Sequence, residues 1–318
     1  MRVSVVIPTF DRRQQVFRAI DSVLAQTVGV DDVIVVDDGS TDGTADAILH
    51  HYRSTVKIFR QKNNGAAAAR NHGIREARSD WVAFLDSDDV WLPTKISRQV
   101  EALRLLGPEH EVCASDTIFD GNPAKTLSRF QEMRFECKPG FATLDEPARQ
   151  IVGWRNPFVT SSLLVRRSLL NEVGGFDEAL VIAEDQDLML RLGFKTKFSF
   201  VAERLVRMDR TPTRSIGLEN LLATRDDRKY DSFERMYKKW LTLPEVAGTE
   251  YEHAIRELLR LTYYSSIEAK FHQLRIRPAL DRIDQLRHLG EPYPLLFLTL
   301  FTRKLKKLSK PRTETRPQ

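Results

Sequence analysis

The first third of the chain alternates short runs of β-branched residues with amphipathic stretches, and that rhythm restricts the fold more than any other feature. Residues 3–7, 33–36, 56–59 and 81–85 are apolar without strict polar alternation, the pattern of strands covered on both faces. Between them, residues 14–24, 45–52 and 66–77 place apolar side chains at helical spacing. Strand, helix, strand, helix predicts an α/β fold with a mostly parallel, Rossmann-like sheet and right-handed crossovers. Ligands of such sheets bind beyond the carboxyl ends of the strands, so the residues just after each run are where chemistry is expected. Those residues are polar. Ile7 leads into Pro8-Thr9-Phe10-Asp11-Arg12, Val36 into Asp37-Asp38-Gly39-Ser40-Thr41-Asp42-Gly43-Thr44, and Leu85 into Asp86-Ser87-Asp88-Asp89. Three strand ends therefore carry carboxylates to one rim.

The remainder divides in two. Residues 118–149 have weak periodicity and scattered Gly and Pro, which predicts a variable insert or loop region. Residues 161–165 read as a strand, 168–173 as a short helix stopped by Gly174-Gly175, and a further helix starts near Asp185. Beyond about residue 217 the pattern changes to long helices near 218–241, 249–271, 278–289 and 293–308. A length of 318 residues suffices for two domains, and this change of pattern sets the expected division: a catalytic domain over 1–217 and a helical extension over 218–318.

Charge and cysteine usage exclude several function classes. The net charge is +5, but Arg303, Lys304, Lys306, Lys307, Lys310, Arg312 and Arg316 stand against Glu314 alone in residues 302–318, so the body is near neutral. A nucleic-acid-binding body needs basic side chains spread along a contact face, so no nucleic-acid partner is expected. Cys113 and Cys137 are too few for a disulfide framework and lack zinc-site spacing. The chain runs at once into its first strand without a secretion signal, and its longest apolar stretch, 295–301, is far short of the ~20 residues of a spanning helix. A cytoplasmic location is expected. Leu298, Phe301, Leu305 and Leu308 recur at helical spacing beside Arg303, Lys304, Lys306 and Lys307. Such a stripe either gives peripheral contact with an anionic membrane through residues 293–310 or packs against protein.

The strand-end motifs carry the chemistry. In Asp86-Ser87-Asp88, two carboxylates one residue apart can hold one hard cation through oxygen, which suits Mg2+ or Mn2+. A capping role for Asp88 or Asp89, on the helix that Pro93 opens, would use one carboxylate of the three. Asp37-Asp38-Gly39-Ser40 reads as a tight turn followed by capping from Thr41 or Asp42, and a carboxylate here is also placed to accept the imide N–H of uracil or thymine. Phe10 is either a core residue or a platform for a base. Asn63-Asn64-Gly65, the small residues Ala66 to Ala69, Arg70 and Asn71 form a loop and a helix start; Arg70 offers a guanidinium fork suited to phosphate.

Taken in order, Val-Val-Ile-Pro-Thr-Phe-Asp-Arg, Val-Val-Asp-Asp-Gly-Ser-Thr-Asp-Gly-Thr, Asn-Asn-Gly with Ala-Arg-Asn, and Phe-Leu-Asp-Ser-Asp-Asp resemble the successive motifs of the family-2 inverting glycosyltransferases, which have the GT-A fold. The resemblance implies that Pro8, Thr9, Phe10, Asp11 and Asp38 hold a nucleotide base and that Arg70 helps hold the nucleotide. Asp86-Ser87-Asp88 would be the D-x-D site, with Asp86 and Asp88 on the metal and Ser87 counted with Asp86 among the nucleotide-binding residues. Gly174-Gly175-Phe176-Asp177-Glu178 and Glu184-Asp185-Gln186-Asp187-Leu188 resemble the acceptor-side loop and the Glu-Asp motif, which puts Asp185 in the position of the catalytic base. Without the resemblance they read as a glycine helix stop and an acidic first turn that suits the helix dipole.

An inverting transfer needs one carboxylate to take the proton of the acceptor hydroxyl as that oxygen attacks the anomeric carbon, while a metal neutralises the departing diphosphate. The implied activity is a metal-dependent transfer from a nucleotide-sugar donor, a UDP-sugar, to a glycan or lipid-linked acceptor of a bacterial surface polysaccharide. Two departures stand out. Many relatives carry a histidine about twenty residues beyond the Glu-Asp motif, but Arg207-Met208-Asp209-Arg210-Thr211-Pro212 has none, leaving Arg207, Arg210 or Arg214 as cationic substitutes or as a solvated loop. The Gln-x-x-Arg-Trp motif of processive members is matched only by Gln131-Glu132-Met133-Arg134-Phe135, which precedes the base and ends in Phe, so one sugar per visit is expected. A sugar-phosphate nucleotidyltransferase needs a glycine-rich basic loop after the first strand, and Pro8-Thr9-Phe10-Asp11 is not one. A non-catalytic carbohydrate-binding protein would not need Asp38, Asp86, Asp88 and Asp185 together.

Overall fold

The structure, a computed structural model, describes residues 1–120, 127–153, 156–209, 227–272 and 276–289. They fall into two compact units, Met1–Ser215 and Ile216–Gln318. In the first, β1 (Val3–Thr9), α1 (Arg13–Leu24), β2 (Asp32–Asp37), α2 (Thr44–Tyr52), β3 (Lys57–Arg60), α3 (Ala66–Glu76) and β4 (Trp81–Phe84) follow the alternation read from the sequence. Next come β5 (Asp89–Trp91), α4 (Lys95–Leu106), β6 (His110–Asp120), α5 (Arg129–Glu132), β7 (Phe141–Leu144) and α6 (Pro147–Val152). A 3-10 turn (Thr160–Ser162), β8 (Leu164–Arg166), α7 (Arg167–Glu172), α8 (Glu184–Gly193) and β9 (Lys197–Asp209) complete it.

One sheet takes up these strands in the order β3-β2-β1-β4-β8-β6-β9-β5, with β7 also on β9. On the β3-β2-β1-β4 side every pair is parallel, with Val5 opposite Val33 on one neighbour and Ala83 on the other. Their carboxyl ends therefore share an edge, and Asp11, Asp37-Asp38 and Asp86 follow directly from it. On the other side the sheet is mixed: β8 runs antiparallel to both β4 and β6, β6 pairs parallel with β9, and β5 and β7 run antiparallel to β9. Val5, Ile7, Val35, Ala83 and Leu164 are buried on the face of the main core, as continuous apolar runs require. Helix α3 lies close on β1, because a Cβ at Gly73 would sit 2.3 Å from Val6 Cγ1. Arg70 occupies the same helix face one turn earlier, so this approach sets its place over the strand ends.

Two expectations need correction, and one alternative falls away. The 118–149 region is not featureless: β6 runs on to Asp120, and α5, β7 and α6 follow. Its strand pairs with β9 (Phe141 opposite Val201), a partner some sixty residues on that local pattern does not reveal. The expected strand over 161–165 begins only at Leu164, because Thr160–Ser162 forms the 3-10 turn. Nor do Asp88 and Asp89 cap the following helix: α4 starts at Lys95 with no side-chain cap, and Asp89 opens β5.

The second unit contains α9 (Asp227–Trp240), α10 (Glu250–His272) and α11 (Ile276–His288), near the helices expected there. Tyr237, Trp240, Leu259, Tyr263, Ile267, Ile283 and Leu286 are buried, and Tyr263 Oη donates to Glu234 Oε1 at 2.9 Å. Glu234 also pairs with Arg282. No described helix is long and apolar enough to cross a membrane. The expected 293–308 helix with its basic stripe, and Arg210 and Arg214, lie outside the described residues.

Candidate active site

The rim beyond β1, β2 and β4 is assembled by side chains that tie one strand-end loop to the next. Asp11, in the left-handed region at φ +48°, donates its N–H to Ser40 Oγ at 2.9 Å and accepts from Thr41 N–H at 2.7 Å, which locks the first loop to the second. Asp38 is buried and accepts from Gln61 Nε2 at 2.8 Å, Asn64 N–H at 3.0 Å and Gly65 N–H at 2.8 Å. Its carboxylate thus holds the loop that leads into α3. Pro8 pairs with Val36 inside the sheet; Thr9 ends β1 buried, its Oγ1 without a hydrogen-bond partner. The Phe10 ring is 42% exposed at the rim, so the core alternative for it does not hold.

Leu85 leads from β4 into the acidic turn. Asp86 N–H donates to Ser161 Oγ at 3.0 Å, and that hydroxyl donates to Asp89 Oδ2 at 2.5 Å. Trp91 Nε1 donates to Ser161 O at 2.9 Å, so the 3-10 turn braces the acidic loop from behind. Ser87 and Asp89 are buried, whereas Asp86 and Asp88 remain partly open. Asp88 Oδ2 lies 2.5 Å from Arg12 Nη1. Deeper still, Lys95 Nζ is fully buried 4.0 Å from the Trp91 ring centroid and donates to Gln99 Oε1 at 2.8 Å. Burial pushes this lysine down to about 7.

Arg70 links the two halves of the site. Its Nη2 donates to Asp86 Oδ1 at 2.7 Å and its Nη1 to Glu184 Oε1 at 2.8 Å, with the guanidinium 5.2 Å from the Phe176 ring centroid. Burial disfavours its charge, but Asp86 and Glu184 outweigh that and hold it protonated above its ordinary range. The sequence suggested a phosphate ligand; here the guanidinium bonds to two carboxylates. Glu184 and Asp185 open α8 after Ala183, which adopts φ +64°, a conformation costly for a residue with a Cβ. Asp185 is half-buried and accepts from Gln186 N–H at 2.7 Å. Burial pushes its carboxyl up, Arg70 pulls it down, and the Asp86 charge is close enough to push it up again; Arg129 acts on it as a further cation.

The loop before α8 is clamped from two sides. Asn71 of α3 donates Nδ2 to Phe176 O at 2.9 Å and accepts from Phe176 N–H at 2.8 Å. Arg191, paired with Asp187 at 2.6 Å, donates to Val173 O and Gly175 O at 2.5 and 2.7 Å. Asp187 is therefore a support, not a reacting group. Sequence reading singled out neither Arg12, Glu184, Asn71 nor Arg191 for these roles; the place of Glu184 in the Glu-Asp motif and the adjacency of Asn71 to Arg70 were the available signals.

Among the described residues no group of three or more His, Cys, Asp or Glu side chains is arranged to hold a metal ion. Asp86 and Asp88 supply two hard oxygen donors on one turn, each satisfied by a guanidinium. That set fits a small divalent ion that keeps water and takes phosphate oxygens for its remaining positions, as Mg2+ does.

The family model described as Glycosyl transferase family 2 matches residues 4–174, which include β1 to β4 and the acidic turn but stop short of Glu184 and Asp185. The succinoglycan biosynthesis protein ExoO of Rhizobium meliloti is 32% identical over 193 residues, 59% of this chain and 54% of ExoO. The chain spans about half of ExoO's length and less of several other curated relatives, down to 27% for a Rickettsia bellii glycosyltransferase. Among solved structures, Staphylococcus aureus TarS in complex with UDP-GlcNAc superposes with TM-score 0.60 at 20% identity, over 86% of this chain and 73% of that one. The mannosyltransferase PcManGT of Pyrobaculum calidifontis, in complex with GDP-Man and Mn2+, superposes with TM-score 0.56 at 17% identity, over 97% of this chain and 87% of that one. At those identities the likeness is one of fold, the GT-A α/β fold. With a family match over more than half its length, carried by the strand-end motifs just described, this chain belongs to glycosyl transferase family 2.

Proposed function

We propose that the chain transfers one sugar, with inversion, from a UDP-sugar to a hydroxyl of a glycan or lipid-linked acceptor in the synthesis of a bacterial surface polysaccharide. The observation that carries this is the Arg70 bridge: one buried guanidinium holds Asp86 and Glu184 together, and with Glu184 comes Asp185. A turn suited to a cation and a carboxylate suited to a proton thereby face one site. Asp185 takes the proton of the acceptor hydroxyl, and a carboxylate raised by burial is a stronger base for that task than an exposed one. Phe10 offers its exposed ring to the base, beside Thr9 and the Asp11 and Asp38 loops. Asp86 and Asp88 would hold Mn2+ or Mg2+, which when bound neutralises the charge of the departing diphosphate. The polysaccharide-synthesis relative ExoO and the nucleotide-sugar complexes of TarS and PcManGT support the substrate class. The nucleotidyltransferase and carbohydrate-binding alternatives gain no such support.

Titration calorimetry with UDP, dTDP and GDP, each with Mn2+ and with EDTA, tests the donor side. UDP is expected to bind best and to need the metal; equal affinities for all three, or none, would overturn the donor assignment. Cytoplasmic location at the inner membrane face, through residues 293–310, completes the proposal on the strength of the basic apolar stripe. Anionic vesicles should retain the full chain and lose a chain ending at residue 292; equal retention would remove the membrane role.

A further inference from the structure

The reading of Asp86 and Asp88 as the cation pair leaves Arg12 without a task, although it is the residue that covers Asp88. The two side chains are 22% and 35% exposed, and their atoms come within 2.5 Å. Arg70 is a different kind of partner: buried, bonded to two carboxylates, and impossible to withdraw without stranding charge. Arg12 sits on the loop between β1 and α1 and is partly open to solvent, so it can leave Asp88 at less cost than Arg70 could leave its two partners. Charge in the site also falls short of balance. Asp86, Asp88 and Glu184 pair with only two guanidiniums, those of Arg12 and Arg70, so these ion-paired carboxylates alone leave a negative charge.

We propose that Arg12 is a place-holding cation: it covers Asp88 while no divalent ion is bound, yields that carboxylate to the ion, and then serves the diphosphate of the donor. The proposal rests on the reading of Asp86 and Asp88 as the metal pair. A guanidinium and a divalent ion repel each other at one carboxylate, so binding of the ion weakens the pair. A diphosphate gives the displaced guanidinium a new partner and recovers that loss. Metal and nucleotide should therefore strengthen each other's binding through Arg12, by the same factor in either order.

Mn2+ titrations of the full chain, followed by the electron paramagnetic resonance signal of free Mn2+ with and without saturating UDP, test this. With Mn2+ alone, Arg12→Met should bind about three- to tenfold tighter than the natural protein, the equivalent of one partly exposed ion pair. The gain in Mn2+ affinity that UDP confers should shrink by a similar factor. Arg12→Lys, which keeps the charge, should stay near the natural protein, as should Arg13→Met, which makes the same charge change on an exposed neighbour. Arg12→Met binding Mn2+ no tighter, or Arg13→Met tightening it as much, would overturn the proposal while leaving the metal pair standing. Unchanged Mn2+ binding in Asp88→Asn, or no Mn2+ binding by the natural protein with or without UDP, would overturn the metal pair and the proposal with it.

Discussion

At Asp185 the environment that marks the residue also sets its working range. Burial and the Asp86 charge raise its carboxyl above the ordinary value near 3.8, against the pull of Arg70. As the proposed base, Asp185 must be ionised to accept a proton, so kcat/KM should rise with pH along an acid limb. In the metal-free protein, Asp86→Asn, which removes the nearby charge, should lower the pH at which the Asp185 carboxyl titrates by NMR; an unmoved titration would show that some other group controls it. Lys95 gives a separate prediction about stability. Buried and lowered to about 7, it sheds its proton in the folded chain while the unfolded chain keeps it up to the ordinary lysine range. From pH 7 upward the unfolded state therefore holds the extra proton, and stability should rise with pH by at most about 1.4 kcal/mol per unit from this group, with no contribution to the slope below 7. Urea midpoints at pH 7 and 9 should show that slope flattened in Lys95→Met; parallel slopes would place the amine in contact with water.

Among the elements, those that carry a continuous apolar run or a helical spacing of their own were legible, and those that depend on a distant partner for their form were not. Val3–Thr9, Asp32–Asp37 and Trp81–Phe84 announce themselves by apolar runs because both faces are covered, and Thr44–Tyr52 and Ala66–Glu76 by helical spacing between them. The carboxylate-bearing turns were legible for the same reason, since a parallel sheet leaves its chemistry at its strand ends. By contrast, β7 owes its existence to β9, and Arg70 reaches Glu184 across 114 residues, contacts for which no local pattern exists. The 173–178 loop shows how little tolerance such contacts leave. Gly175 has φ +67°, and a Cβ there would lie 2.5 Å from Asn71 Oδ1, the atom that accepts from Phe176 N–H. Gly175→Ala should cost about 1–3 kcal/mol through backbone strain and crowding, read from denaturant unfolding. It should also lower turnover by loosening the approach to α8; wild-type stability and turnover would mean that the loop is not held as described.

For the whole molecule, the account reduces to one arrangement: strand ends from the parallel half of the sheet and the start of α8 close on a single site through Arg70. The family assignment covers the first of these, because the matched residues 4–174 end before Asp185. The decisive measurement is turnover of a UDP-sugar with Mn2+ by the natural protein and by Asp185→Asn, with UDP affinity measured on both and the anomeric configuration of the product read by NMR. The account predicts an inverted product, a loss of about 10²- to 10⁴-fold in kcat for Asp185→Asn, and UDP affinity left intact. Near-normal turnover by Asp185→Asn, or a product that retains the donor's configuration, would contradict it.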